Sequence, residues 1–246
     1  MRYFIGFSYD GSKYSGYQKQ PKCRTIQNEM ENALKKLNGG KAISLVASGR
    51  TDAGVHALHQ RAHFDFDKDI PINKLKQGLN SLIPNDIYVS TIVEVKDDFH
   101  ARFSAKAKEY IYKINMGPYN PIEKDYVYQY NKKLDIPEME RALKYIEGTH
   151  DFRSFIKIDE EKPDYVRTII QTNLIRDYKN VNIITISIFG TGFMRYMVRN
   201  IVGTLIEIGE GKYKSEEIIK ILESKDRAKA GMCAPACGLY LKDVYY

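Results

Sequence analysis

Apolar and polar positions in the first part of the chain switch between two periods. Residues 2–9 alternate in the period-two manner of a strand. Ile26, Met30, Ala33, Leu34 and Leu37 fall at helical spacing, and Gly39-Gly40 supplies a stop after them. Ile43 to Ala47 reads as a buried strand, and Gln60 to Phe66 as another with Ala62, Phe64 and Phe66 on one face. Pro71 opens a helix that runs through Leu82, proline being tolerated in a first turn. Asp86 to Val95 is a further strand. The predicted order is strand, helix, strand, strand, helix, strand.

The remainder repeats that order in outline. Glu109 to Asn115 is a strand with Tyr110 and Tyr112 on one face. Pro137 to Glu147 is a helix ending at Gly148. Tyr165 to Tyr178 and Val181 to Phe189 form a hairpin about Lys179-Asn180. Gly192 to Ile208 reads as a long helix, Ser215 to Ser224 as a short one, and Leu239 to Tyr246 as a closing strand. A duplicated split β-α-β pattern predicts an α+β fold of two ferredoxin-like halves. The first covers residues 1–105 and the second residues 106–246. The expected architecture sets their mixed or antiparallel sheets side by side, helices on one face, with an active-site cleft between the halves.

The 246 residues suffice for a substantial core, and 43% apolar with 28% charged residues is ordinary globular composition. The net charge of +7 favours polyanionic partners, since each phosphate met by Lys or Arg releases counterions. Trp is absent, whereas 19 Tyr and 10 Phe can pack in a core or stack on bases. Cys23, Cys233 and Cys237 are an odd count, and the strand-like pattern starting at Arg2 shows no secretory leader. No apolar run is long enough to span a bilayer. The expectation is a cytoplasmic protein with no membrane partner.

One segment concentrates candidate chemistry. Ser48-Gly49-Arg50-Thr51-Asp52-Ala53-Gly54-Val55-His56 brackets a charged trio with two glycines directly after a predicted buried strand. By composition alone it is a polar loop with a surface Arg–Asp pair. Its lone carboxylate, flanked by small residues, is also accessible to a bulky ligand. Farther on, Met194, Met197, Val198, Ile201, Val202, Leu205 and Ile206 make a helix apolar almost all round, which predicts burial. Arg199 inside it either finds an anionic partner or snorkels to solvent, and Gly203 one turn on leaves room for another backbone. Tyr110 stands beside Lys106 and Lys108, an interleaving suited to a nucleotide, although strand alternation alone would bury it with Tyr112.

Other constellations are thinner. His56, His59 and His63 have ligand-like spacing, but His63 falls in a strand and no second cluster completes a metal shell. Cys233-x3-Cys237 has no partner pair, and the glycines at 190, 192, 203, 209 and 211 do not form a dinucleotide fingerprint. A non-catalytic RNA-binding module would share the charge and the tyrosines but has no use for Asp52 or Arg199. A nuclease would want paired histidines or clustered carboxylates, and nothing pairs His56 with His100.

The 49–56 stretch resembles the active-site signature of the tRNA pseudouridine synthase A family. Further matches run in order along nearly the whole chain: Tyr9-Asp10-Gly11 through Gln20, Phe99 to Ala105, Lys108 to Tyr112, Gly148 to Phe152, Phe193 to Gly203, and Ala234 to Leu239. Tyr17 departs from the pattern, since relatives usually carry Trp there. The resemblance implies an isomerase converting uridine to pseudouridine at positions 38, 39 and 40 of the tRNA anticodon stem-loop. It further implies a homodimer holding tRNA, and no metal or organic cofactor. It makes Asp52 the essential carboxylate, Arg199 its ion-pair partner, Arg50 the residue that helps extrude the target nucleotide, and Tyr110 the residue that binds it.

Overall fold

The computed structural model describes residues 1–157 and 164–246. Two compact units make up the chain, one of Met1–Lys106 with Tyr240–Tyr246 and one of Ala107–Leu239. The fold is α+β.

The first unit begins with β1 (Arg2–Tyr9), α1 (Ile26–Leu37), β2 (Val46–Ala47), β3 (His56–Asp65), α2 (Ile72–Leu82) and β4 (Ile87–Val95). β1 lies between β4 and β3 and is antiparallel to both, with Arg2 opposite Val95 on one side and Asp65 on the other. β2 pairs antiparallel with β3, Val46 opposite His63. The order β4-β1-β3-β2 is a split β-α-β arrangement, in which β3 inserts between the two strands that α1 connects. α1 buries Ile26, Met30, Ala33 and Leu34, the stripe set by its apolar spacing. It stops where Gly39 and Gly40 take φ of +65° and +91°.

Two predicted strands change length. Ile43 and Leu45 are buried, yet only Val46–Ala47 joins the sheet. Side chains of α1 take over the backbone groups of Leu45: its N–H donates to Glu31 Oε1 at 3.1 Å, and its carbonyl accepts from Gln27 Nε2 at 3.3 Å. β3 starts earlier than predicted, at His56, so the residues after Val55 are already in the sheet.

The second unit contains β5 (Ala107–Asn115), β6 (Tyr128–Gln129), α3 (Ile136–Tyr145), β7 (Gly148–Asp151), β8 (Val166–Arg176), β9 (Ile183–Gly190), α4 (Met197–Gly209) and α5 (Glu217–Ser224). β9 pairs antiparallel with β5 and with β8, and β7 pairs antiparallel with β8, giving β5-β9-β8-β7. The β8–β9 hairpin turns where the sequence indicates, with Arg176 opposite Ile184. The Asp135 carboxylate caps α3 by accepting from Glu138 N at 3.1 Å. α4 begins at Met197 rather than Gly192, because Tyr196 adopts a left-handed backbone (φ 63°) that a continuous helix excludes.

β10 (Leu239–Tyr245) runs parallel to β3, Tyr240 opposite His56 and Leu241 opposite Ala57. The sequence groups this strand with the second half; residues 240–246 instead cluster with the first unit. Side-chain contacts account for this. Tyr246 packs edge-on against Phe4 at 4.9 Å and donates its hydroxyl to Ala101 O at 2.7 Å, and Asp243 pairs with Arg61 at 3.0 Å.

Candidate active site

Residues 48–55 connect β2 to β3 and are held from below by one buried amide. Gln60 follows β3's alternation into the core, in phase with Ala62 and Phe64, and is fully buried. Its side chain is completely satisfied. Oε1 accepts from Ser48 Oγ at 2.8 Å and Arg61 N at 3.1 Å, while Nε2 donates to Gly49 O at 3.1 Å and to the Tyr9 hydroxyl at 3.4 Å. The Tyr9 hydroxyl in turn shares a 2.8 Å hydrogen bond with Thr51 Oγ1. Burial pushes Tyr9 up to about 12, opposed by its bonds to Thr51 and Gln60, so it keeps its proton at neutral pH.

A second segment, residues 10–17, braces the loop from the side. Tyr17 N donates to Thr51 O at 3.0 Å and Gly54 N to Tyr14 O at 3.3 Å. Gly11 N donates to His56 Nδ1 at 3.1 Å, and Asp10 Oδ1 lies 3.2 Å from the same nitrogen. The His56 ring stacks on Tyr240 at 4.6 Å. Segment 10–17 is itself fixed by Tyr14, whose hydroxyl bonds the Asp86 carboxylate. Arg24 lies 4.2 Å over the Tyr14 ring and 3.0 Å from Asp86 Oδ2. Within this frame Val55 N closes a tight turn onto Asp52 O at 3.2 Å, and Gly54 supplies the positive φ of 77° that the turn requires. Asp52 is half-buried, between buried Thr51 and exposed Ala53, and Arg50 is exposed.

The second unit carries the other two residues singled out by sequence. Tyr110 is buried on β5, opposite Ile188, and meets Phe193 edge-to-face at 5.1 Å and 76°. Its strand neighbour Tyr112 is fully buried and donates its hydroxyl to Pro235 O at 2.7 Å. Arg199 is half-buried on α4. Its Nε donates to Ala234 O at 2.7 Å, Ala234 N returns a bond to Arg199 O at 3.1 Å, and the guanidinium lies 5.2 Å over the Tyr196 ring. Gly203 admits another backbone, since a β-carbon there would lie 1.7 Å from Met232 O. Gly231 N adds a bond to Thr204 Oγ1 at 2.9 Å, so residues 231–234 are strapped along α4.

Among the described residues, no group of three or more His, Cys, Asp or Glu is placed to hold a metal ion. His56 serves Gly11, His59 points to solvent, and His63 is buried with Nδ1 accepting from Ala101 N at 3.1 Å. The sequence reading gives no role to Gln60 or Tyr9. The available signal was a glutamine at a core-facing position of an otherwise apolar strand face.

A family model described as tRNA pseudouridine synthase matches residues 6–104 and 142–246, a span that includes Arg50, Asp52 and Arg199 and leaves Tyr110 between its two parts. The chain belongs to the tRNA pseudouridine synthase family. It is 45% identical over 240 residues to a tRNA pseudouridine synthase A from Geobacillus sp. (strain WCH70), covering 97% of this chain and 96% of that protein. It is 41% identical over 247 residues to the tRNA pseudouridine synthase A of Latilactobacillus sakei, covering 100% and 99%. It is 45% identical over 241 residues to a tRNA pseudouridine synthase A 2 of Clostridium tetani, covering 97% and 96%. As a pseudouridine synthase the chain is an isomerase. No helix among the described residues is long and apolar enough to cross a membrane.

Proposed function

We propose that this chain converts uridine to pseudouridine at positions 38, 39 and 40 of the tRNA anticodon stem-loop, with Asp52 as the essential carboxylate. The N1–C1′ glycosidic bond breaks, uracil turns, and a C5–C1′ bond forms. The C5 hydrogen leaves as a proton and N1 ends protonated, so atoms balance without an added co-reactant. The observation that carries this reading is the end-to-end similarity to proteins named tRNA pseudouridine synthase A.

An ionised carboxylate begins such a reaction as nucleophile or base. Asp52 suits the task because its turn is fixed from two sides while its neighbours Ala53 and Arg50 are open to solvent. In this proposal Arg199 is the cation that keeps Asp52 ionised. Its Nε donates to Ala234 O, which anchors the guanidinium on its own unit. Tyr110 stacks on the target base, its ring set by Phe193, and offsets part of the few kcal/mol needed to extrude a nucleotide. Arg50, exposed and two residues before Asp52, contacts the displaced nucleotide's phosphate. The working form is a cytoplasmic homodimer that binds tRNA.

Pseudouridine mapping in tRNA tests the reading. Wild type introduces mass-silent conversions at positions 38–40, and Asp52→Ala leaves uridine intact. Cleavage of the RNA, or binding without conversion, contradicts the assignment.

A further inference from the structure

We infer that Gln60 and Tyr9 are positioning residues for Asp52, forming a buried relay that fixes the angle at which the loop presents its carboxylate. The inference rests on the proposed role of Asp52 and assigns a task to two side chains outside the signature itself.

The geometry is unusually complete. A glutamine amide offers two donor hydrogens and one acceptor oxygen with two lone pairs. All four positions are filled at Gln60, and three of the four partners lead into the loop. Two are direct, Ser48 Oγ and Gly49 O; the third passes through the Tyr9 hydroxyl to Thr51 Oγ1. The loop is therefore gripped on both sides of Arg50 and immediately before Asp52. The Gln60 amide donates to the Tyr9 oxygen, and the Tyr9 and Thr51 hydroxyls share the next bond, which either of them can donate. None of these side chains reaches solvent: Tyr9, Ser48, Thr51 and Gln60 are all buried.

Core packing would be served as well by leucine or phenylalanine at positions 60 and 9. A buried polar network contributes specificity of conformation only when each member is satisfied, and this one is satisfied toward the loop. A carboxylate displaced by a fraction of an ångström loses turnover without losing RNA affinity, since reactive geometry and binding depend on different contacts.

Steady-state kinetics on an anticodon stem-loop tRNA decide the matter, measured well below each variant's unfolding midpoint. Gln60→Leu, Tyr9→Phe and Thr51→Val are expected to lower kcat by about tenfold to a hundredfold, with KM for tRNA within roughly twofold of wild type. Thr51→Ser, which keeps the hydroxyl, restores kcat to near the wild-type value. If Gln60→Leu fails to fold, Tyr9→Phe and the Thr51 pair carry the test, since they preserve ring and loop volume. Wild-type kcat in folded Tyr9→Phe and Thr51→Val overturns the inference, as does a loss that only tracks the unfolded fraction or appears in KM alone. Asp52→Asn, run in parallel, separates this from the underlying reading. If it is inactive while the relay variants are normal, only the positioning role falls. If it matches wild type, the role of Asp52 falls and the relay's with it.

Discussion

Gly11 lies so close to Val55 that a β-carbon added to Gly11 would sit 2.0 Å from the Val55 carbonyl oxygen. The obstacle is backbone, which cannot swing away as a flexible side chain would. Gly11→Ala is therefore expected to push segment 10–17 off the turn that holds Asp52. Overpacking of this kind costs about 1–3 kcal/mol. Denaturant unfolding should show a lower midpoint with unchanged slope, and pseudouridine formation should fall further than the folded fraction does.

Tyr17 invites the opposite change. Its side chain is 2% exposed, and its hydroxyl has no hydrogen-bond partner among the described residues. Burial pushes this phenol well above its ordinary value, so it stays neutral and costs desolvation without return. Tyr17→Phe is expected to stabilise the fold by about 1 kcal/mol, seen as a higher melting temperature. A lower melting temperature would mean that the hydroxyl is satisfied in solution.

Acid sensitivity should report on His63. Burial and the neighbouring His100 and Arg2 pull it from 6.5 down to about 4, against the opposing charge of Asp65. Between those two values the unfolded chain binds a proton that the folded chain refuses. The stabilisation from neutral His63 is thus complete above pH 6.5 and is lost as pH falls toward 4. His63→Gln, whose amide oxygen can still accept from Ala101 N, is expected to flatten the stability–pH curve in that window. An unchanged slope would place the titration elsewhere.

Gly203 and Gly40 make a matched pair for the second unit's strap and an unrelated turn. Gly203→Ala confronts Met232 O at 1.7 Å and should displace residues 231–234, including the carbonyl that holds Arg199. A β-carbon at Gly40 meets nothing within 4 Å, and only its positive φ opposes substitution. The expected result is a turnover loss for Gly203→Ala approaching that of Arg199→Ala. Gly40→Ala should cost about 1 kcal/mol of stability and leave catalysis intact.

The elements most legible in the sequence are those whose partners are local. α1 falls on Ile26–Leu37 because its apolar stripe and glycine stop both lie within the segment. The β8–β9 hairpin follows from alternation and a polar turn. Features decided by distant partners were not legible. Nothing near Leu45 announces that Gln27 and Glu31 will satisfy its backbone, and nothing near residue 240 announces that the strand there will lie against β3. Tyr196 delays the start of α4 through a backbone angle that helical periodicity does not encode. At the candidate site, the charged trio Arg50-Thr51-Asp52 between glycines is visible in the sequence, while its proposed roles come from the resemblance. The buried Gln60–Tyr9 support was marked only by a glutamine at a core-facing strand position, which does not show the partners it finds.

Residues 240–246 complete the first unit, yet they are made after the whole of the second. During translation, residues 1–106 leave the ribosome with the flank of His56 uncovered and Arg61 without Asp243, and they stay so while 133 further residues, Ala107–Leu239, are added. The nascent chain carries residues 48–56 long before the strand that pairs beside His56 exists. Order of synthesis thus leaves the first unit without β10 until the whole of the second unit has been made.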